Sequence, residues 1–217
     1  MDILYQIFIT PIIILINEIF ILLVSFLGSY GWAIILLSLV VKIILLPVSI
    51  YAEKLKIKEL LIQKKIQPII HALKKQYKGE ELHKKTTFIY KDFNYHPIYA
   101  LKTSLGLFIQ VPFLIAAFLY FGSHEKLSME SFYLIQNLAE PDRALLLGGT
   151  TINIMPLIMT LISFCATYLY GRRYQSAQTR ELYIIALVFL LLLYNEPSSL
   201  LLYWTTNNAF SFIESLR

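Results

Sequence analysis

Apolar stretches long enough to cross a lipid bilayer recur along this chain of 217 residues. A helix needs about 20 mostly apolar residues to span a hydrocarbon layer of about 30 Å. The composition agrees with this pattern, because 57% of the residues are hydrophobic and only 15% are charged, and the mean hydropathy is +0.63. The sequence therefore predicts an all-α polytopic membrane protein.

The apolar pattern predicts five spans with defined segments between them. In chain order, these are an N-terminal amphipathic segment 1–28, a first span 29–50, a basic helical hairpin 51–96, a second span 97–121, an outer loop with a short helix 122–148, a third span 149–171, a basic loop 172–181, a fourth span 182–194, an outer turn 195–199 and a fifth span 200–217. The N-terminal segment carries a polar stripe of Thr10, Asn17 and Ser25. It therefore either crosses the membrane or lies at the interface, and the residue pattern leaves both open.

Lysine and arginine residues predict the orientation. The hairpin 51–96 holds eleven lysines and five acidic residues, and the loop 172–181 holds three arginines. The positive-inside rule places both in the cytoplasm, and the C-terminus with them. The N-terminus has neither a basic signal region nor arginine-rich transit character, which favours the plasma (inner) membrane of a bacterium.

Catalytic and metal-binding patterns are not found in the sequence. Cys165 is the single cysteine, and no Cys/His spacing indicates a metal site. The three aspartates lie outside the predicted spans, and no phosphate-binding loop, H-E-x-x-H or G-x-S-x-G motif occurs. We therefore expect no enzyme, no catalytic residue, no metal and no cofactor.

Lys42 lies within the first predicted span, in LSLVVKIILLPV (37–48). Its ammonium group either snorkels to the cytoplasmic headgroups or faces a hydrated groove between helices. Helical side chains lean toward the N-terminus of their helix, which in the predicted orientation is away from the nearer interface. A charge facing lipid costs several kcal/mol or more, and the apolar parts of the spans hold no acidic residue to pair with it. These points favour a hydrated groove.

Polar residues at helical spacing on the other spans are predicted to line the same groove. The predicted groove residues are Lys42, Ser38, Lys102, Gly106, Gln110, Asn153, Thr160, Ser163, Thr167, Trp204, Asn208 and Ser211. Each stripe alone is also typical of ordinary helix packing. A positively charged groove without carboxylates suits a transient guest with acidic or polar parts. A small-solute channel or transporter is the alternative, although the inverted repeats expected of many transporters are not seen.

Four segments resemble, in order, the YidC/Oxa/Alb membrane protein insertase family. They are SYGWAIILLSLVVKIILLPVSI, QPIIHALKKQYKG, HPIYALKTSLGLFIQVPFLIAAFLYF and NEPSSLLLYWTTNNAFSFIE. The resemblance covers nearly the whole chain and implies five core helices around a hydrophilic groove that is closed to the outside. It implies an interfacial N-terminal helix with the N-terminus outside. It also implies an insertase that moves short or single-span proteins from the cytoplasm into the bilayer without nucleotide hydrolysis.

Lys42 corresponds to the groove arginine of that family. Lysine is a point charge and lacks the planar fork of arginine, so a bidentate grip on a carboxylate is not expected here. The partners expected from the resemblance are nascent membrane-protein substrates and the lipid bilayer. The ribosome and a Sec-type translocon are further candidates, and DNA is not expected.

The basic hairpin is a second candidate site. Its lysines are candidates to meet anionic lipid headgroups, ribosomal RNA or substrate. The presence of any one of these lysines is explained equally well if it simply belongs to a solvent-exposed cytoplasmic surface, as the positive-inside rule predicts. The lysines concerned are Lys54, Lys56, Lys58, Lys64, Lys65, Lys74, Lys75 and Lys78.

Overall fold

The protein is mostly helical in a computed structural model that describes residues 5–96, 98–99, 105–147, 149–174 and 179–216. A π-helical turn, Tyr5–Ile9, precedes α1. The helices are α1 Thr10–Leu27, α2 Tyr30–Gln76, α3 Gly79–Asp92, α4 Leu105–Gly122, α5 Met155–Tyr174, α6 Thr179–Leu193 and α7 Ser198–Ser215. A 3₁₀ turn, Glu125–Met129, and the antiparallel strands β1 Leu145–Leu147 and β2 Thr150–Ile152 lie between α4 and α5.

Two helical segments of the described chain are long and apolar enough to cross a membrane, Tyr5–Leu27 and Tyr30–Gln76. The second is the continuous helix α2 of 47 residues, with Pro47 and Pro68 inside it. At 1.5 Å per residue α2 is about 70 Å long, more than twice the hydrocarbon thickness. No helix end coincides with the boundary predicted between residues 50 and 51, so the predicted first span and the start of the hairpin share one helix.

The chain forms two compact units, the first of Met1–Ile44 with Pro112–Arg217 and the second of Leu45–Val111. Phe20 of α1 is buried in the first unit. Its ring makes edge-to-face contacts, with centroids 5.6–6.0 Å apart, with Tyr30, Tyr120, Phe121 and His124. This aromatic cluster fixes one face of α1 against the start of α2 and the end of α4.

The polar stripe of α1 is satisfied within the protein. Asn17 Oδ1 accepts a hydrogen bond of 3.1 Å from the Tyr120 hydroxyl. The hydroxyls of Thr10 and Ser25 donate to the carbonyls of Tyr5 and Leu22. The exposed surface of α1 includes large apolar side chains, Ile14, Ile21, Leu22 and Phe26.

The second unit is a helical hairpin formed by the later part of α2 and by α3. Gly79, with φ +57°, begins α3, and glycine adopts this left-handed conformation more readily than other residues. Glu59 is buried on α2 and accepts a hydrogen bond of 3.2 Å from Gln63 Nε2, which also lies 3.4 Å from the Tyr95 hydroxyl. Burial and the neighbouring Glu59 raise the pKa of Tyr95 to about 12.

The segment between α4 and α5, which we call the outer segment after the predicted outer loop, is less helical than its sequence suggests. The third predicted span starts at residue 149, whereas Thr150–Ile152 form a strand and α5 begins at Met155. Threonine and isoleucine are β-branched and favour strands. Pro156 is well suited to the first turn of a helix, because its missing N–H has no helical partner there.

Candidate functional site

Lys42 lies on the inward side of α2 and is only 5% exposed. Its Nζ donates a hydrogen bond of 2.8 Å to Ser211 Oγ on α7. Ser38, one turn earlier on α2, is fully buried, and its hydroxyl donates to the Ile35 carbonyl at 2.7 Å. Residues four apart share a helix face, so the two polar side chains of this part of α2 point into the unit together.

A second polar contact links α7 to α5. Asn208 Nδ2 donates a hydrogen bond of 3.0 Å to Ser163 Oγ, and the Ser163 hydroxyl donates to the Met159 carbonyl at 2.9 Å. Asn208 and Ser211 are three residues apart and therefore lie on one side of α7. Through these two residues a line of polar side chains connects α2, α7 and α5. We call Lys42, Ser211, Asn208 and Ser163 the three-helix polar junction.

Three further predicted residues lie on the same helices. Thr160 and Thr167 are buried on α5, and the Thr160 hydroxyl donates to the Pro156 carbonyl at 2.8 Å. Trp204 on α7 stacks against Phe189 of α6, with ring centroids 5.6 Å apart. Trp204 therefore packs α7 against α6.

Asn153 precedes α5 and is engaged in holding the outer segment. Its Nδ2 donates to the Tyr194 carbonyl at 2.7 Å, and its Oδ1 accepts from the Arg143 backbone N–H at 3.1 Å. The side chain is buried. The predicted stripe places Asn153 in line with Thr160 on one helix, whereas here it joins a loop to the end of α6.

The three remaining predicted groove residues, Lys102, Gly106 and Gln110, belong to the second predicted span. Lys102 lies outside the described residues, and Gly106 lies in α4. Gln110 is half-buried and belongs to the second unit, Leu45–Val111, whereas Lys42 belongs to the first.

The predicted lysines of the hairpin are mostly exposed. Lys56 is the half-buried member, and its Nζ lies 3.6 Å from Glu53 Oε2. Burial lowers the pKa of Lys56, and the neighbouring Glu53 carboxylate partly offsets that effect. The exposed members are Lys54, Lys58, Lys64, Lys65, Lys74, Lys75 and Lys78.

Asp142 is a buried residue to which no sequence motif assigns a role. Its Oδ2 accepts hydrogen bonds from the backbone N–H groups of Ile154, at 2.7 Å, and Met155, at 3.3 Å. It therefore caps the N-terminus of α5, where a carboxylate also complements the helix dipole. A cap normally lies next to its helix, so a residue twelve positions away gives no sequence signal.

The outer segment is also tied to the start of α7. The Glu140 carbonyl accepts from both the backbone N–H and the hydroxyl of Ser198, at 2.8 and 2.6 Å, and the Leu138 carbonyl accepts from the Ser199 N–H at 2.9 Å. These bonds and the Asp142 cap attach one segment to the N-termini of α5 and α7.

Known proteins share both the sequence pattern and the fold. A family model described as 60Kd inner membrane protein matches residues 22–217. The membrane protein insertase YidC of Endomicrobium trichonymphae is 28% identical over 189 residues, which cover 86% of this chain and 35% of that protein. The protein of the same name from Fusobacterium nucleatum is 28% identical over 192 residues, which cover 88% of this chain and 86% of that protein.

A crystal structure described as active YidC insertase with its first transmembrane domain resolved has a similar fold. The TM-score is 0.63 at 24% identity, and the match covers 99% of this chain and 46% of that one. This chain thus spans about a third of the Endomicrobium relative and most of the Fusobacterium relative. Because the family model covers most of the sequence, the chain belongs to the 60Kd inner membrane protein family, the YidC/Oxa membrane protein insertases that its motifs resemble, and it is a membrane protein of a non-enzymatic class.

Proposed function

We propose that this chain is a membrane protein insertase and chaperone that takes short or single-span proteins from the cytoplasm into the bilayer without nucleotide hydrolysis. The observation that carries the proposal is the three-helix polar junction, in which Lys42 on α2 contacts Ser211 on α7 in a member of an insertase family. A buried lysine within an apolar helix is costly and is by default a functional residue in a membrane protein.

The proposed architecture has five spans around the junction, at 29–50, 97–121, 149–171, 182–194 and 200–217. The N-terminal helix lies at the interface with the N-terminus outside, and the C-terminus is cytoplasmic. Large exposed apolar side chains on three helices, Ile43, Leu161 and Leu191, support a lipid environment for them. The basic segments at 51–96 and 172–181 then face the cytoplasm.

In the proposed mechanism, Lys42 exchanges its hydrogen bond to Ser211 for one to the incoming segment. A carboxylate at the outer end of that segment is the preferred acceptor, because charge-assisted hydrogen bonds are about twice as strong as neutral ones. Asn208 and Ser163 offer a second pair of polar groups on the path. The apolar part of the guest then moves into lipid, where burial gains about 25 cal/mol per Å² and drives release.

The remaining predicted residues have proposed roles around this path. Lys102, Gly106 and Gln110 extend the groove along the second span. The hairpin lysines meet lipid headgroups, the ribosome or the nascent chain, and a Sec-type translocon is a further candidate partner.

The test is insertion of a single-span reporter in cells depleted of the native protein and supplied with variants. The reporter is made with an acidic or a neutral outer end. We expect the Lys42→Arg variant to insert both reporters. We expect Lys42→Ala to reduce insertion of the acidic reporter more than that of the neutral one, and Lys42→Glu to abolish insertion of the acidic reporter. Lys91→Ala, at an exposed position of the hairpin, is the matched control and leaves insertion unchanged.

Unchanged insertion of the acidic reporter with Lys42→Glu would remove the electrostatic role of Lys42. Liposomes containing the purified protein provide the second measurement. A solute flux that rises with the amount of protein would favour a channel or transporter instead.

A further inference from the structure

The outer segment carries a tight hairpin whose tip is made of large apolar residues. Phe132 and Ile135 exchange two backbone hydrogen bonds, of 2.8 and 2.9 Å, so Tyr133 and Leu134 form a two-residue turn. The Leu138 N–H donates to the Glu130 carbonyl at 2.9 Å and closes the base. We call the turn residues Tyr133 and Leu134, together with the exposed Met129 that precedes the base, the outer tip.

The outer tip is unusual in both its residues and its exposure. Tyr133 is 81% exposed, Leu134 is 85% exposed and Met129 is 92% exposed. Tyr133 has φ +50°, a left-handed conformation that glycine, asparagine and aspartate adopt more readily than tyrosine. The turn therefore presents an aromatic ring outward despite backbone strain, where a small polar residue would be the ordinary choice.

The hairpin around Tyr133 and Leu134 packs against the first turn of α2. The Phe132 ring lies against Gly31, where any Cβ atom would overlap it. Trp32 makes edge-to-face contacts with Phe132 and Tyr133, with ring centroids 5.7 and 6.3 Å apart. These contacts fix the position of the outer tip beside the start of α2, a helix that is long and apolar enough to cross a membrane.

The base of the hairpin is firmly packed. Leu127 and Leu138, on either side of the hairpin in sequence, are fully buried, and Ile135 is 6% exposed. The exposed side chains of the outer tip therefore belong to a segment whose neighbouring residues are well packed.

We propose that the outer tip inserts into the interfacial layer of the outer leaflet and anchors the outer end of α2 in the bilayer. Tryptophan and tyrosine concentrate at this level of membrane proteins because one end of each side chain is apolar and the other polar. Trp32 is 47% exposed and continues the surface of Tyr133 toward the apolar helix. The anchor sets the depth of Lys42, which lies ten residues along α2 from Trp32, or about 15 Å.

The inference relies on the proposed crossing of the membrane by α2, and the experiment measures that crossing separately. Single tryptophans are placed in a Trp32→Phe, Trp204→Phe chain reconstituted in phosphatidylcholine vesicles. The lipids are brominated either near the headgroup or deep in the acyl chain, and iodide is the aqueous quencher. Tyr133→Trp reports the outer tip, and Ile43→Trp reports the middle of the proposed first span. Glu81→Trp reports an exposed position of the basic helical hairpin 51–96.

We expect Tyr133→Trp to be quenched by the shallow bromines and protected from iodide, Ile43→Trp to be quenched by the deep bromines, and Glu81→Trp to be quenched by iodide alone. Iodide quenching of Tyr133→Trp, with deep quenching retained at Ile43→Trp, would place the tip in water and overturn the anchor while leaving the span intact. Loss of bromine quenching at both positions would overturn the anchor and the proposed membrane arrangement together.

A second variant guards against misfolding of the tryptophan background. In a chain that keeps Trp32, the pair Tyr133→Ser and Leu134→Ser replaces the two apolar side chains of the turn, while the buried residues at its base remain. The expected result is a red shift of Trp32 emission and loss of its quenching by shallow bromines. Emission and quenching identical to the unaltered tip would contradict the proposal.

Discussion

The amine of Lys42 lies 2.8 Å from the hydroxyl oxygen of Ser211, although 169 residues separate them in the chain. The bond joins α2 to α7, and Asn208, on the same side of α7, continues the contact to Ser163 of α5. Buried polar side chains between helices are stabilising only when they are paired, so each residue of the junction constrains the positions of the others.

Ser211→Ala removes an acceptor from the buried Lys42 amine and is expected to lower the free energy of unfolding by about 1–3 kcal/mol. A double-mutant cycle with Lys42→Met, followed by unfolding in mixed micelles, measures the coupling between the two side chains. Thr206→Val on the same helix is the control, because the Thr206 hydroxyl bonds to the Leu202 carbonyl of its own helix. Equal effects of the two substitutions, with no coupling to Lys42, would contradict this prediction.

Asp142→Ala removes the cap of α5 and is expected to destabilise the protein by about 1–2 kcal/mol. Asp142→Asn keeps an oxygen that can accept from the Ile154 N–H but loses the charge, so a smaller loss is expected. Thermal unfolding of the purified protein measures both. A loss with Asn as large as that with Ala would mean that the charge, and not the acceptor, provides the stabilisation.

Gly31→Ala places a methyl group where the Phe132 ring lies and is expected to cost about 1–3 kcal/mol. The ring has to leave its contacts with Trp32 and Tyr133, so the emission of Trp32 changes as well. Combining Gly31→Ala with Phe132→Ala makes room for the new methyl. The second substitution then adds less than its separate cost, and strictly additive effects would count against the close contact.

Lowering the pH is expected to destabilise the packing around His124. Burial, together with the nearby Lys126, lowers the pKa of His124 below its ordinary value of 6.5. The neutral ring packs against Phe20 and Tyr120. His124 therefore binds a proton more readily in the unfolded chain than in the folded one. The contribution of neutral His124 to the free energy of unfolding is complete above about pH 6.5 and is lost as the pH falls through the pKa of the folded state.

Thermal unfolding between about pH 8 and about pH 5 measures this effect. His124→Gln should flatten the part of the pH dependence that His124 causes, whereas His71→Gln, at an exposed position of α2, should leave it intact. An unchanged pH dependence in His124→Gln would show that other groups produce it.

Sequence periodicity predicts helices over most of the chain and polar faces on several of them. Lys42 in an apolar run, and Asn208 and Ser211 at helical spacing, predict inward polar faces because a helix repeats every 3.6 residues. The break between α2 and α3 lies at Gly79, a residue type that commonly interrupts helices. The strand Thr150–Ile152 was missed inside a predicted span, because a short apolar and β-branched run suits a strand as well as a helix.

The sequence by itself determined that this chain is a helical membrane protein of an insertase family, because hydropathy and motif order are local properties of the chain. Only the tertiary structure decided that Lys42 pairs with Ser211, that Asp142 caps α5 and that Phe132 rests on Gly31. Each of these depends on the distance between segments far apart in sequence. That distance is set by the packing of whole helices and loops, and the spacing of residues along the sequence does not predict it.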